Sequence, residues 1–372
     1  MKKIKIIQLF EAYGDIYQPY IPPVMESLKK KEDFDMQIDV FKEHAKADDV
    51  NVIPGYYKRK IKEKALSLSN KGAVKLNYIE NKYLKNKVDI VHLQHSYLHK
   101  KVKRLLAIPK AQRPKIVITL RGADTYMKPW IDKNWVNFYE TYGQYVDAFI
   151  TMSKHQKNYM QKWGIPLDKI HVIPISYGNA FKTSERLPNT ESIQLISAFR
   201  MCWEKNIEGN LRVVKLLKDK GLRVKYSIYG NGPDAYQVPY LIDKYQLSEA
   251  VQYYGSIENK ALKQKLNEAD FYVQLSHSES LGMSIIEAQT YGLPAIVSDS
   301  DGLPEVVIHN KTGYCVKPYA IEKAADYIET LWNDSDLYRS FSFAAVKHSQ
   351  VTFSIQNEVE KLSHLYQSLM SK

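Results

Sequence analysis

Cysteine is nearly missing: Cys202 and Cys315 are the only two in 372 residues. They lie far apart and lack the short spacing of metal-binding pairs. Neither a disulfide framework nor a structural zinc site therefore organises the chain, and two reduced thiols in a cytoplasmic protein are expected. No apolar run approaches the ~18 residues needed to span a bilayer. The opening MKKIKIIQLFEAYG has a short apolar run that contains Lys5 and ends at Glu11, so it reads as a first strand and not as a signal peptide. Internal repeats and low-complexity tracts are also lacking. Hydrophobic content of 44% and charged content of 25% are those of a folded globular chain, long enough here for two domains.

Charge is plentiful but uneven. The formal net charge is +12, yet residues 1–185 hold 33 basic and 19 acidic residues while the rest hold 20 and 22. The excess concentrates in Lys58–Lys115, with 17 basic and 3 acidic residues. A solvated face in a lysine-rich protein is one reading. An anionic membrane surface or anionic acceptor is the other, because ~1 kcal/mol per basic residue near such a membrane accumulates quickly. Tyr56, Tyr57, Tyr78, Tyr83 and Tyr97 are interleaved with these charges. No recognition-motif signature accompanies them, so nucleic acid is not an expected partner.

Taken in order, short apolar runs alternate with helical patterns. Ile4–Leu9, Met36–Phe41, Val88–Leu93, Lys115–Leu120, Ala148–Met152 and Lys169–Pro174 read as strands. Pro19–Lys30 reads as a helix opened by prolines, Tyr56–Leu68 as a basic amphipathic helix, and Ser153–Trp163 as a further helix. The polar stretch Phe181–Ser192 breaks the pattern. The alternation then restarts: strands at Ile193–Phe199, Val224–Tyr229, Val251–Gly255, Phe271–Leu275 and Pro294–Ser298, with helices over Gly209–Lys220 and Asp234–Tyr245. Ile321–Lys372 reads as helical with weak breaks. This spacing predicts an α/β fold with parallel sheets covered on both faces. The boundaries are set at 1–182, 192–350 and a C-terminal helix at 351–372 that packs back toward the N-terminal domain.

The densest chemistry lies in SHSESLGMSIIE, Ser276–Glu287, after an apolar strand. Glu279 falls in the loop before a short helix and Glu287 in its second turn. Gly282 lets backbone approach a ligand, and the helix start offers N–H groups to an anion. Two solvated glutamates on a core helix would look the same in isolation. Arg200 and Lys205 follow Ile193–Phe199, and two cations at one strand end can neutralise a diphosphate leaving group. GNGP at Gly230–Pro233 is a tight turn at the next strand end. Asp299 and Asp301 form a D-x-D that suggests Mg²⁺, or simply a strand-to-helix loop.

In combination and in this order, these motifs resemble the retaining glycosyltransferases of family 4, whose GT-B fold has two facing Rossmann-like domains with a cleft between them. Glu279 and Glu287 match the family's paired glutamates, Arg200 and Lys205 its cationic pair, Gly230–Pro233 its G-x-G-P turn, and Gly302–Glu305 its glycine loop ending in glutamate. The resemblance implies that Glu287 binds the donor's ribose and Glu279 the transferred sugar. It implies that Leu281, Gly282 and Met283 present N–H groups to the diphosphate, and that Arg200 and Lys205 stabilise it as a leaving group. No metal or other cofactor is implied, and Asp299 and Asp301 fall to structural roles. The first domain matches more loosely. Gly14 supplies a single glycine where the family has a pair, and Arg121 in LRGAD stands where a histidine is common. Arg121 with Asp124 then marks the acceptor side of the cleft, or an ordinary ion pair. His92 and His95 read as packing and supporting residues. The expectation is a cytoplasmic hexosyltransferase, peripheral on the inner membrane face, moving a sugar from a nucleotide-sugar donor to a saccharide or lipid-linked acceptor of bacterial surface glycan synthesis. A non-catalytic GT-B binding protein, a sugar phosphorylase and a nucleotide-sugar epimerase are the alternatives.

Overall fold

A computed structural model describes residues 2–14, 19–42, 50–69, 75–178 and 186–371, with backbone alone for 65–69. Residues 181–185 of the Phe181–Ser192 break lie outside them. The chain forms two compact units, one of residues up to 178 together with Ile355 onward, the other ending at Ser354.

The first unit carries a sheet of β1 (Ile4–Ala12), β2 (Phe34–Lys42), β3 (Val50–Val52), β4 (Ile90–Leu93), β5 (Lys115–Thr119), β6 (Ala148–Thr151) and β7 (Ile170–Val172). Its order is β3-β2-β1-β4-β5-β6-β7 and every pairing is parallel. β4 and β6 are buried at every position, which is why they read as unbroken apolar runs rather than alternating ones. The helix Ile21–Lys29 has proline in its first turn, where a missing N–H costs nothing. It buries Ile21, Val24, Met25 and Leu28 at helical spacing. The helix expected over Ser153–Trp163 is α-helical only to Tyr159 and tightens to a 3₁₀ turn over Met160–Trp163.

The second unit carries β8 (Ile193–Ala198), β9 (Val224–Tyr229), β10 (Val251–Gly255), β11 (Phe271–Gln274), β12 (Ala295–Ser298) and β13 (Gly313–Val316), in the order β10-β9-β8-β11-β12-β13, again all parallel. β13 was not anticipated. It is four residues long and opens on Gly313, which lies so close to β12 that a Cβ would sit 2.0 Å from the Ala295 carbonyl oxygen.

The helical tail is three helices, Ile321–Asn333, Ser335–Thr352 and Ile355–Ser371. Asp334 makes the first break by accepting the Leu337 N–H at 2.9 Å, an N-cap that restarts the helix. The last helix packs within the first unit. Its Tyr366 is fully buried, accepts a hydrogen bond from Gln8 Nε2 at 2.9 Å and lies 2.7 Å from His92 Nδ1.

Candidate active site

In the second sheet, successive connections leave β8 and β11 in opposite directions although the two strands are neighbours. Such a switch point leaves a crevice at the carboxyl ends of the strands. The loops that border it carry Arg200 and Lys205 after β8, and Glu279 to Met283 after β11.

The β8 loop is held by backbone contacts. Phe199 N–H donates to the Tyr229 carbonyl, Met201 N–H to Asn231 and Asp234 N–H to Met201. GNGP thus runs directly against Phe199–Met201. A Cβ on Gly230, whose φ is +124°, would meet the Phe199 oxygen at 1.8 Å, and one on Gly232 the Met201 oxygen at 2.2 Å. Glycine is required at both positions, and the motif's local task is to fix the strand exit that carries Arg200. The Arg200 guanidinium is exposed, with no ion pair among the described residues. Lys205 ends a short 3₁₀ turn and is followed by Asn206 in the left-handed region at φ 50°. Asn206 accepts from Gly209 N–H and donates to the Pro318 carbonyl, and the Asn210 amide donates to the Lys205 carbonyl at 3.0 Å.

The β11 loop meets it. Lys205 Nζ forms an ion pair with Glu279 Oε2, to which Gln274 also donates at 3.1 Å. Asp301 braces the turn: its carboxylate accepts the Ser278 hydroxyl at 2.5 Å and the Glu279 N–H at 3.1 Å, while Gly302 N–H returns to the Glu279 carbonyl. Asp299 pairs with Lys317 at 2.6 Å. Both carboxylates of the D-x-D therefore have structural partners. Among the described residues, no cluster of three or more His, Cys, Asp or Glu could hold a metal.

Gly282, at φ 88°, caps the helix Met283–Thr290, and a Cβ there would lie 2.9 Å from both Ile285 and Leu303 side chains. The N–H groups of Leu281, Gly282 and Met283 have no backbone acceptor among the described residues, as is usual at a helix start. Glu287 is buried in this helix and accepts from Asn259 Nδ2 at 3.3 Å.

Gln274 and Asn259 were not singled out as supports of the glutamates, and Asp301 was expected only in a structural role; the fold shows what each of them touches. The same holds for Trp203, His277 and Tyr319. These three rings come from separate loops, with His277 5.3 Å from Tyr319 and 6.4 Å from Trp203. Burial lowers the His277 pKa.

The first unit has its own switch point, between β1 and β4. Gly14 follows β1 with φ 141°. Arg121 follows β5, and its guanidinium donates to the Gln94 carbonyl at 3.2 Å and to Gln94 Oε1 at 3.0 Å. The Asp124 carboxylate accepts the N–H groups of Arg121 and Gly122 and the Ser96 hydroxyl. Asp124 therefore shapes the LRGAD turn through backbone as well as through charge, and burial raises its pKa. Arg121 shares a small cavity with His92, Gln94, Thr119 and Glu358 of the C-terminal helix. Glu358 accepts the Ser176 N–H at 2.6 Å, and burial raises its carboxyl pKa while Arg121 opposes the rise. His92 bonds Tyr366 and Thr119 through its two ring nitrogens, and burial next to Arg121 lowers its pKa to about 3. It is a neutral packing residue.

Known proteins resemble the chain along most of its length. Residues 40–175 match the model of glycosyltransferase family 4, and residues 180–348 that of the glycosyl transferases group 1. An uncharacterized 41.2 kDa protein in the cps region of Klebsiella pneumoniae is 26% identical over 265 residues, 67% of this chain and 72% of that protein. The putative colanic acid biosynthesis glycosyltransferase WcaL of Escherichia coli is 25% identical over 212 residues, 55% of this chain and 52% of its own length, so the match spans about half of that relative. Among solved structures, Anabaena HepE in complex with UDP and glucose superposes with a TM-score of 0.73 at 14% identity, covering 98% of this chain and 100% of that one. The chain belongs to the family 4 glycosyltransferases, with the two parallel-sheet domains of the GT-B fold. It is accordingly a glycosyltransferase.

Proposed function

We propose that this glycosyltransferase moves a hexose from a nucleotide diphosphate donor, with retention of anomeric configuration, to a hydroxyl of a saccharide or lipid-linked acceptor in bacterial surface glycan assembly. The observation that carries the reading is the β8/β11 crevice, where the loop after β8 meets the loop after β11 through the Lys205–Glu279 ion pair, beside a helix start whose N–H groups at 281–283 have no backbone acceptor among the described residues. Lys205 has three donors, so it can keep Glu279 and still reach a phosphate oxygen. With the N–H groups of 281–283 and the exposed Arg200, it holds the diphosphate and stabilises the charge that develops as the glycosidic bond breaks. Glu279 takes hydroxyls of the transferred sugar, and Glu287, steadied by Asn259, takes the ribose. In the retaining mode, the acceptor hydroxyl attacks on the face the diphosphate leaves, and a phosphate oxygen removes its proton. No metal is needed for this, since Lys205 and Arg200 supply the positive charge and Asp301 already serves Ser278 and Glu279. The uridine base is favoured because HepE was solved with UDP and glucose, and surface glycan work because WcaL is named for colanic acid biosynthesis. The basic Lys58–Lys115 region suits an acceptor at the inner face of an anionic membrane.

A thermal-shift screen against UDP-, GDP- and ADP-sugars identifies the donor, because bound donor raises the melting temperature by mass action. Transfer is then followed by NMR of the product anomer. Lys205→Ala is expected to lower turnover by ~10²–10³ with the fold intact. Turnover near the wild-type rate, an inverted anomer, or activity that requires inorganic phosphate would overturn the assignment.

A further inference from the structure

The helix Tyr56–Ser69 in the first unit is turned outward in a way a globular core does not require. Tyr56, Tyr57 and Ile61 are 61%, 82% and 71% exposed. Tyr57 and Ile61 are four residues apart and so share one face. Lys58, Lys60, Lys62 and Lys64 are exposed beside them. The helix holds one acidic residue, Glu63, whose carboxylate accepts the Tyr78 N–H at 3.1 Å through one oxygen and pairs with Lys60 at 2.9 Å through the other, which offsets the charge of that lysine. Arg59 turns inward, over the Phe41 ring at 5.4 Å. Lys101 covers the same ring at 4.9 Å, which brings the exposed Lys100, Lys103 and Arg104 alongside. The outer face thus offers an excess of cations over its single, ion-paired carboxylate, beside exposed apolar side chains.

We propose that this helix is the membrane-docking element, lying in the interface plane of an anionic bilayer with Tyr57 and Ile61 seated at the acyl boundary and the lysines on lipid phosphates. It deepens the membrane-side part of the proposed function and rests on that reading only for which membrane is met. A bilayer interface supplies negative charge and an apolar layer within one helical diameter, and tyrosine is at home where one end is apolar and the other wet. A nucleic acid backbone satisfies the lysines but gives Ile61 nothing to enter.

The full chain is to be sedimented with vesicles of phosphatidylcholine alone and of phosphatidylcholine and phosphatidylglycerol in equal parts. Binding is expected only to the second, weakening as salt rises. Ile61→Asp and the pair Lys58→Glu, Lys62→Glu should each lower partitioning by about tenfold or more. Lys58 and Ile61 are exposed and Lys62 lies over the Tyr78 ring at 5.3 Å, so the melting temperature should fall only slightly and UDP binding should not change. A Tyr57→Trp variant should show a blue-shifted emission with anionic vesicles. Equal binding to neutral vesicles, binding that ignores Ile61→Asp, no vesicle binding, or binding to duplex nucleic acid in place of vesicles would overturn the inference. Unchanged UDP binding in these variants keeps that failure separate from any failure of the donor site.

Discussion

The two units hold their candidate residues by different means. In the second, Arg200, Lys205, Glu279 and the 281–283 N–H groups sit on loops locked by main-chain contacts and by neighbours close in sequence, such as Asn206 beside Lys205 and Gln274 five residues before Glu279. In the first, the Arg121 guanidinium is held by the carbonyl and the side chain of Gln94 after β4, and it shares a small cavity with Glu358 of the C-terminal helix. Backbone locking demands glycine or asparagine at particular positions and so leaves a mark in sequence. A side-chain network can be built from many residue sets and leaves none.

Gly230→Ala breaks the first kind of support and should have the largest effect. Its Cβ would enter the Phe199 carbonyl from a left-handed backbone, at a cost of about 3 kcal/mol or more. Urea unfolding should show the loss, with weakened donor binding, because the Arg200 loop moves with it. Wild-type stability would mean that the turn is not what fixes the strand exit.

Arg121→Gln tests the second kind. It takes a cation away from the Glu358 carboxyl, whose pKa burial already raises, and should cost about 2 kcal/mol in the same assay. It should leave donor binding unchanged.

The smallest effect is a pH dependence from the same network. His92 has a folded pKa of about 3 against an ordinary value of 6.5, so below pH 6.5 the unfolded chain binds the proton more readily. Stability is therefore complete above pH 6.5 and falls as pH drops toward 3, by about 1–2 kcal/mol between pH 6.5 and 5 for this one group. His95 and His99, each with a pKa lowered to about 4 mainly by burial, add to the slope. His92→Gln should flatten the slope measured by urea midpoints at several pH values, and an unchanged slope would remove His92 from the network.

This contrast also explains what was legible. The alternation of buried apolar runs and helices gave the parallel α/β architecture, because strands covered on both faces must be apolar throughout. β13 escaped because glycine opens a four-residue strand. The GNGP turn and the Lys205–Glu279 pairing follow from residues that stood out in sequence, since close backbone approach requires glycine and two opposite charges at strand ends are conspicuous. Asn259 and Asp301 did not stand out as supports of the glutamates, nor did the Glu358 carboxyl near Arg121, since their partners lie 22 to 237 positions away in sequence, as 259 to 287, 279 to 301 and 121 to 358 show. The exposed face of the Tyr56–Ser69 helix was legible as charge but not as a face that also leaves Tyr57 and Ile61 open to solvent.

The central claim is that the donor diphosphate is held by the backbone-locked unit. Calorimetric titration of UDP into the wild type, Lys205→Met and Arg121→Gln tests it most directly. The account predicts that Lys205→Met raises the dissociation constant by about tenfold or more, while Arg121→Gln leaves it within about twofold. Undiminished binding in Lys205→Met, or a larger loss in Arg121→Gln, would contradict it.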